Sequence, residues 1–434
     1  MTVSSARQAA ARPPMTLRPR PSLLAAPRIG LSAALVVTGT ATALVFHLVM
    51  RFVFSRGYPY ETFLYAPFNR FQDYYNMFRA AQHFHPGDST VMVYSPLLHL
   101  FMTAFTHLPA VIGLAVVITA FMATVFAVLY FFAGRRVDDR RIRVLAALAL
   151  SLASYPVLFA LDRGNLEMVV FVLLAAFVYL YYERRSPWAW LPLALAIAAK
   201  YYWVTLLVIP LLDRRYRQAL MAAAGAMVAS LGAALILAPI SGYGVVGMWH
   251  ALGTTLNGHL RWSGSLLFVQ HGHSLWGVVM LFNRAIGHQF ESIPHFQQLY
   301  TLLALAVFVL VVVKLWQRPR SSWQVLAVLV ACTLLLPFEN ADYVLVQWLL
   351  PFALFMGADR RVGADRCDAR GLVLILLFVV PLVPMAYYYF PFIGQPDVGV
   401  STLIYPAAVA AVGVLALLQG RDSSGLPEAR RSGS

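Results

Sequence analysis

Long apolar runs separated by short arginine clusters constrain this chain more than any other feature. Runs at about 30–54, 110–133, 144–161, 166–182, 219–240, 298–316, 323–338, 344–357, 371–390 and 400–418 approach or exceed the length, about 18 residues, at which a helix crosses a hydrocarbon core. Lipid offers the backbone no hydrogen-bond partner, so helices, which satisfy their own groups, must do the spanning. The alternating segments of a membrane β-barrel are absent. The expected fold class is therefore an all-α, polytopic integral membrane protein of about 11–12 spans with helices in its outer loops. A chain that is 60% hydrophobic and 12% charged agrees with that and not with a water-soluble domain.

The net charge of +15 invites a nucleic-acid reading, but the basic residues form no single patch. They fall between apolar runs, at Arg135–Arg136 with Arg140, Arg141 and Arg143, at Arg184–Arg185, at Arg214, Arg215 and Arg217, at Arg360–Arg361 and at Arg430–Arg431. This is the positive-inside pattern, which sets orientation, and no stacking platform on a basic face accompanies it, so no nucleic-acid partner is expected. With the N-terminus cytoplasmic, residues 1–29 read as a disordered basic tail, 30–418 as the membrane domain and 419–434 as a second cytoplasmic tail. Within the membrane domain, 55–109 is the first outer loop and 241–297 the second. The run at 30–54 is too long for a signal-peptide core and reads as an anchor. In this arrangement all but eight of the 33 Lys and Arg residues (Arg51, Arg56, Arg70, Arg79, Arg163, Lys200, Arg261 and Arg284) lie on the cytoplasmic side. None of the 11 histidines falls in a cytoplasmic loop. The two cysteines, Cys332 and Cys367, support neither a disulfide framework nor a thiol metal site.

Residues 188–212 carry arginines at both flanks. One crossing would put one cluster on the wrong side, so two half-helices turning at Lys200-Tyr201-Tyr202 are expected, with Lys200 near the outer face. About 12 residues at about 1.5 Å each span only half a bilayer, which calls for a protein-lined site there.

The polar chemistry gathers in the outer segments. Phe68–His85 holds one carboxylate, Asp73, beside Tyr74 and Tyr75. It is either a surface acid paired with Arg70 or Arg79 at helical spacing or a general base that takes a proton from an acceptor hydroxyl. Tyr94-Ser95-Pro96 opens an apolar stretch that contains His99. Asp162-Arg163-Gly164-Asn165-Leu166-Glu167 packs three charges into the mouth between two helices, where charge at membrane depth points to function. Lys200 stands between alanines and Tyr-Tyr-Trp, as a phosphate-binding cation or as a lysine reaching for the interface. His273, at the start of a short outer helix, suits a phosphate or sugar contact, and with His271 alone it does not make a metal site. Asn340 and Asp342 lie in the last polar outer turn, either holding sugar hydroxyls or hydrating a loop.

The order of these parts resembles glycosyltransferase family 87 of the GT-C superfamily, the bacterial polyprenyl-phosphate-mannose-dependent mannosyltransferases. The resemblance rests on Phe71-Gln72-Asp73-Tyr74-Tyr75 in the first outer loop, Tyr94-Ser95-Pro96, Arg163-Gly164-Asn165 at a helix opening and Ala198-Ala199-Lys200-Tyr201. Trp348-Leu349-Leu350-Pro351 is also kept, whereas Gly272-His273-Ser274-Leu275 stands where the family often has Asn-Gln-Ser-Leu, and the turn from Pro337 to Tyr343 has no histidine. The resemblance implies a GT-C-type helical bundle in a bacterial plasma membrane, both termini cytoplasmic and the active site extracytoplasmic. It also implies inverting transfer of a hexose, by default mannose with arabinose open, from a polyprenyl-phosphate donor to a glycolipid or polysaccharide acceptor. Asp73 would be the base, and Lys200, Arg163 and His273 would hold the donor phosphate. Tyr74, Tyr75, Asn165, Tyr94, His99, Asn340 and Asp342 would line the acceptor and sugar. No cofactor is implied, and a divalent cation is left open. Two other readings share the outer loops: a transporter or flippase of a lipid-linked sugar, whose internal repeat the chain does not display, and a surface-polysaccharide polymerase or ligase.

Overall fold

The computed structural model describes residues 26–65, 67–82, 94–242, 244–247, 250, 253, 272–287, 290, 295–318, 320–338, 340–358, 369–385 and 400–419. The chain is an all-α membrane protein. Among the described residues the only extended pairing is one antiparallel bridge, Gly272 with Ala341. The expected tail at 1–29 lies outside them up to Ala26, where the first helix already begins; most of the second outer loop, the C-terminal tail beyond Gln419, His271 and Glu339 lie outside as well.

Among the described residues five helices are long and apolar enough to cross a membrane: α1 (Ala26–Phe52), α4 (Ala110–Phe131), α10 (Tyr216–Ser241), α12 (Phe296–Gln317) and α16 (Ser401–Leu418). At about 1.5 Å per residue the 26 residues of α10 clear a hydrocarbon core of about 30 Å. The expected single span at 144–161 is instead two helices, α5 (Arg140–Ala153) and α6 (Tyr155–Arg163), bent by 50° at Ser154. Pro156, near the start of α6, has no N–H to continue the ladder from α5, while Ser154 Oγ turns back onto Leu150 O at 2.5 Å. Hydropathy shows no gap at such a bend, so an apolar run alone does not separate a straight helix from a broken one. The other apolar helices are shorter, among them α3 (Pro96–Phe105), α8 (Trp190–Ala199), α13 (Ser322–Leu335) and α15 (Ala369–Val379).

The turn at Lys200 is present. Helix α8 ends at Ala199, Lys200 is extended (φ −143, ψ 106), and a 3-10 segment, Tyr201–Leu207, leads into the short α9 (Val208–Leu212). Both ends of this unit meet: Gln218 Nε2 donates to Ser186 O at 3.3 Å, and Tyr181 OH to Asp213 Oδ2 at 2.8 Å. Midway up α10, Trp190 and Ala194 close on Gly225, so α8 runs parallel to α10 and the segment between them must return. Contrary to the expectation that no second discontinuity matches the one at 188–212, a second such unit pairs α13 with the 3-10 segment Asp342–Trp348 and α14 (Leu349–Gly357).

These turns sort the bundle into two ends. Arg135 pairs with Glu183 at 2.9 Å, and Arg215 lies over the Tyr181 ring at 4.5 Å, so the clusters around Arg135, Arg184 and Arg215 share one end. Asp73, Arg163, Lys200 and Asp342 occupy the other.

Candidate active site

The polar end is built on the opening of α7 (Glu167–Val178). Helix α6 closes on Gly164, whose φ of 61° is the left-handed conformation that glycine adopts without steric cost. A side chain there would also collide, because a Cβ would stand 3.0 Å from Tyr74 Cβ and 3.2 Å from Phe71 Cα. The missing side chain lets the start of α2 (Gln72–Gln82) dock on the turn. Phe71, itself at φ 55°, donates its N–H to Asp162 O at 2.6 Å, and a non-glycine residue in that region persists only where its surroundings fix it. Asn165 then starts α7 by accepting the Glu167 N–H on its Oδ1 at 2.9 Å.

That docking delivers Asp73 to the mouth. Arg163 Nη2 donates to Asp73 Oδ1, and Asn165 Nδ2 to Oδ2 at 2.7 Å. The Asp73 and Arg163 side chains are 14% and 13% exposed, so the pair is largely desolvated yet reachable. Arg163 also stacks over the Tyr65 ring at 4.2 Å, a residue that sequence reasoning did not single out. Asn165 Nδ2 reaches Tyr94 OH at 3.0 Å. Burial first, then the Asp73 charge, pushes the Tyr94 hydroxyl well above its ordinary range.

Tyr94 joins Asp73 to Lys200. The Lys200 ammonium lies 4.9 Å from the Tyr94 ring centroid, 5.9 Å from that of Tyr202 and 5.8 Å from that of Tyr343. Its partner acid is Glu167, with Nζ 3.7 Å from Oε2. Glu167 is fully buried and accepts from Tyr202 OH at 2.8 Å, Trp203 Nε1 at 3.3 Å and Gln347 Nε2 at 3.0 Å. Sequence reasoning left Glu167, Gln347 and Tyr343 out of the site. A carboxylate opening an apolar helix two residues after Asn165 was the available signal for the first; nothing local marked the other two.

Several expected contacts are elsewhere. Tyr74 is fully buried, its hydroxyl against Gly113 of α4 and its ring stacked on Phe78; burial pushes that hydroxyl up to about 12. It secures α2 to α4, while Tyr75, one residue on, is half-buried. His99 is buried on α3, the helix that Ser95 caps through the Leu98 N–H. Asn340 gives its amide to Thr333 O and Leu334 O, each at 2.7 Å, closing the end of α13 where sugar hydroxyls were expected. Asp342 accepts from Tyr155 OH at 2.6 Å and faces His273 Nδ1 at 3.4 Å. His273 is fully buried, so it pairs with Asp342 and presents no open face to a phosphate. Among the described residues no three His, Cys, Asp or Glu side chains gather as a metal site.

Comparison with known families gives a match. The model of glycosyltransferase family 87 fits residues 92–338, more than half of the chain. The match takes in Tyr94, Arg163, Asn165, Glu167, Lys200 and His273; Asp73 lies outside it and joins the site through its bonds to Arg163 and Asn165. No curated protein and no solved structure matches.

Proposed function

The chain belongs to glycosyltransferase family 87, and on that premise we propose that it moves a hexose from a polyprenyl-phosphate donor to a glycolipid or polysaccharide acceptor. Mannose is the default sugar, and the reaction takes place at the extracytoplasmic face of a bacterial plasma membrane. One observation carries this reading: a partly exposed carboxylate, Asp73, and a partly exposed ammonium, Lys200, share one mouth and are linked through Asn165 and Tyr94. A lipid-linked sugar phosphate undergoing attack at C1 needs that pair of charges.

The step is an inverting displacement. An acceptor hydroxyl oxygen attacks C1 on the face opposite the phosphate, and Asp73 takes its proton as the new C–O bond forms. The bond from C1 to the phosphate oxygen breaks, and its electron pair leaves with polyprenyl phosphate, whose charge rises by one. That developing charge is met by Lys200 and Arg163, preorganised donors in a mouth with little water. Arg163 holds the carboxylate before the donor arrives, with its guanidinium fixed by Asp73 and by the Tyr65 ring. His273, buried against Asp342, has no part in this phosphate contact.

The test is transfer by the purified protein. Polyprenyl-phosphate mannose, polyprenyl-phosphate arabinose and nucleotide sugars are offered with extracted glycolipid acceptors, and the product linkage is read by NMR. Product from a polyprenyl-phosphate sugar with inverted anomeric configuration is expected. Product only from nucleotide sugars, or movement of lipid-linked sugar across vesicles without a new glycosidic bond, would contradict the proposal.

A further inference from the structure

Lys200 and Glu167 form an unequal pair. The Glu167 carboxylate has no exposure, whereas the Lys200 side chain keeps 15%. An isolated carboxylate in such a place would be expensive, and removing its partners would leave a buried charge uncompensated. Here three neutral donors hold it: Tyr202 and Trp203 from the segment that follows Lys200, and Gln347 from the segment Asp342–Trp348. The start of α7 adds the favourable end of a helix dipole to the same carboxylate. With most of its lone pairs taken, Glu167 meets Lys200 at 3.7 Å, beyond hydrogen-bond length. It attracts the ammonium without consuming its N–H donors. Among the described residues, the groups that face Lys200 are the three tyrosine rings of Tyr94, Tyr202 and Tyr343 and this one acid.

We infer that Glu167 is a positioning residue that aims the Lys200 ammonium into the mouth, with its donors left for the donor phosphate. The inference rests on the phosphate role of Lys200 proposed above. It deepens that reading by making the cation's geometry depend on a carboxylate that never touches substrate. Gln347 shares the task at one remove, because it fixes Glu167 from a separate segment, Asp342–Trp348.

A double-mutant cycle tests it. Wild type, Glu167→Gln, Lys200→Gln and the double variant are purified, their melting temperatures compared, and transfer measured with donor and acceptor varied separately. Glu167→Gln is expected to lower kcat/KM for the polyprenyl-phosphate donor by about 30-fold while the acceptor KM stays within about twofold. In the Lys200→Gln background the same change is expected to cost less than about threefold, because the group through which Glu167 acts is already gone. Equal losses in both backgrounds, or an acceptor KM that moves as much as the donor KM, would overturn the inference and leave the role of Lys200 standing. An unimpaired Lys200→Gln protein would remove the phosphate role itself and this inference with it. Binding of polyprenyl phosphate to the same four proteins in detergent reads the cycle where turnover is too slow, and tighter binding by Glu167→Gln would also overturn it. Should Glu167→Gln fail to fold, Gln347→Leu enters the same cycle, with a loss of about threefold expected only when Lys200 is present.

Discussion

The two ends of the bundle handle charge in opposite ways. At the arginine-rich end Arg135 and Glu183 form an ion pair at 2.9 Å with side chains 59% and 31% exposed, and Arg143 rests on Val137 O and the Tyr130 ring. At the polar end the pairs Asp73–Arg163 and Glu167–Lys200 are largely or wholly removed from solvent. An exposed pair contributes about 0–1 kcal/mol and is tolerated almost anywhere. A desolvated pair costs more than it returns unless every polar atom finds a partner, so it persists where charge itself is needed. Under the proposed function, numerous arginines at one end set orientation and a few charges at the other serve chemistry.

Variants at the two ends should therefore separate widely. The largest effect falls on Asp73: Asp73→Asn keeps the shape and the contact with Asn165 but cannot take a proton, and kcat is expected to drop by about 10²–10⁴-fold in a transfer assay. Lys200→Gln follows, with a loss of about 30- to 100-fold in kcat/KM for the donor, the equivalent of about 2–3 kcal/mol of charge-assisted contact. Gly164→Ala acts on the scaffold. The positive φ and the close approach of Phe71 and Tyr74 are expected to cost about 1–3 kcal/mol of stability, read as a lower melting temperature. Arg135→Ala, at the arginine-rich end, is expected to change stability by about 0.5 kcal/mol or less and transfer not at all. A large activity loss in Arg135→Ala, or none in Lys200→Gln, would break the contrast.

Much of the scaffold was legible in the sequence because hydropathy runs and arginine clusters are local signals. The turn at Lys200 followed from one fact, basic residues at both flanks of 188–212, and the meeting of Ser186 with Gln218 has the same cause. The bend at Ser154 was not legible, since a kink leaves an apolar run unbroken. In the site, Asp73 and Tyr94 in the first outer loop, Arg163 and Asn165 at the mouth between two helices and Lys200 at its turn stood out as polar residues, and the structure brings them together. Tyr74 was misread because adjacent residues on a helix point about 100° apart, and its direction belongs to α4. Gln347 could not be found from sequence: its partner, Glu167, is 180 residues away, and only the packing of two turned segments joins them.

The most direct test of the account measures turnover and ligand binding side by side on Asp73→Asn. The account predicts that the variant binds polyprenyl phosphate as wild type does, with Lys200 and Arg163 intact, while transfer falls by about 10²–10⁴-fold. Transfer by Asp73→Asn at a rate close to that of wild type would contradict it.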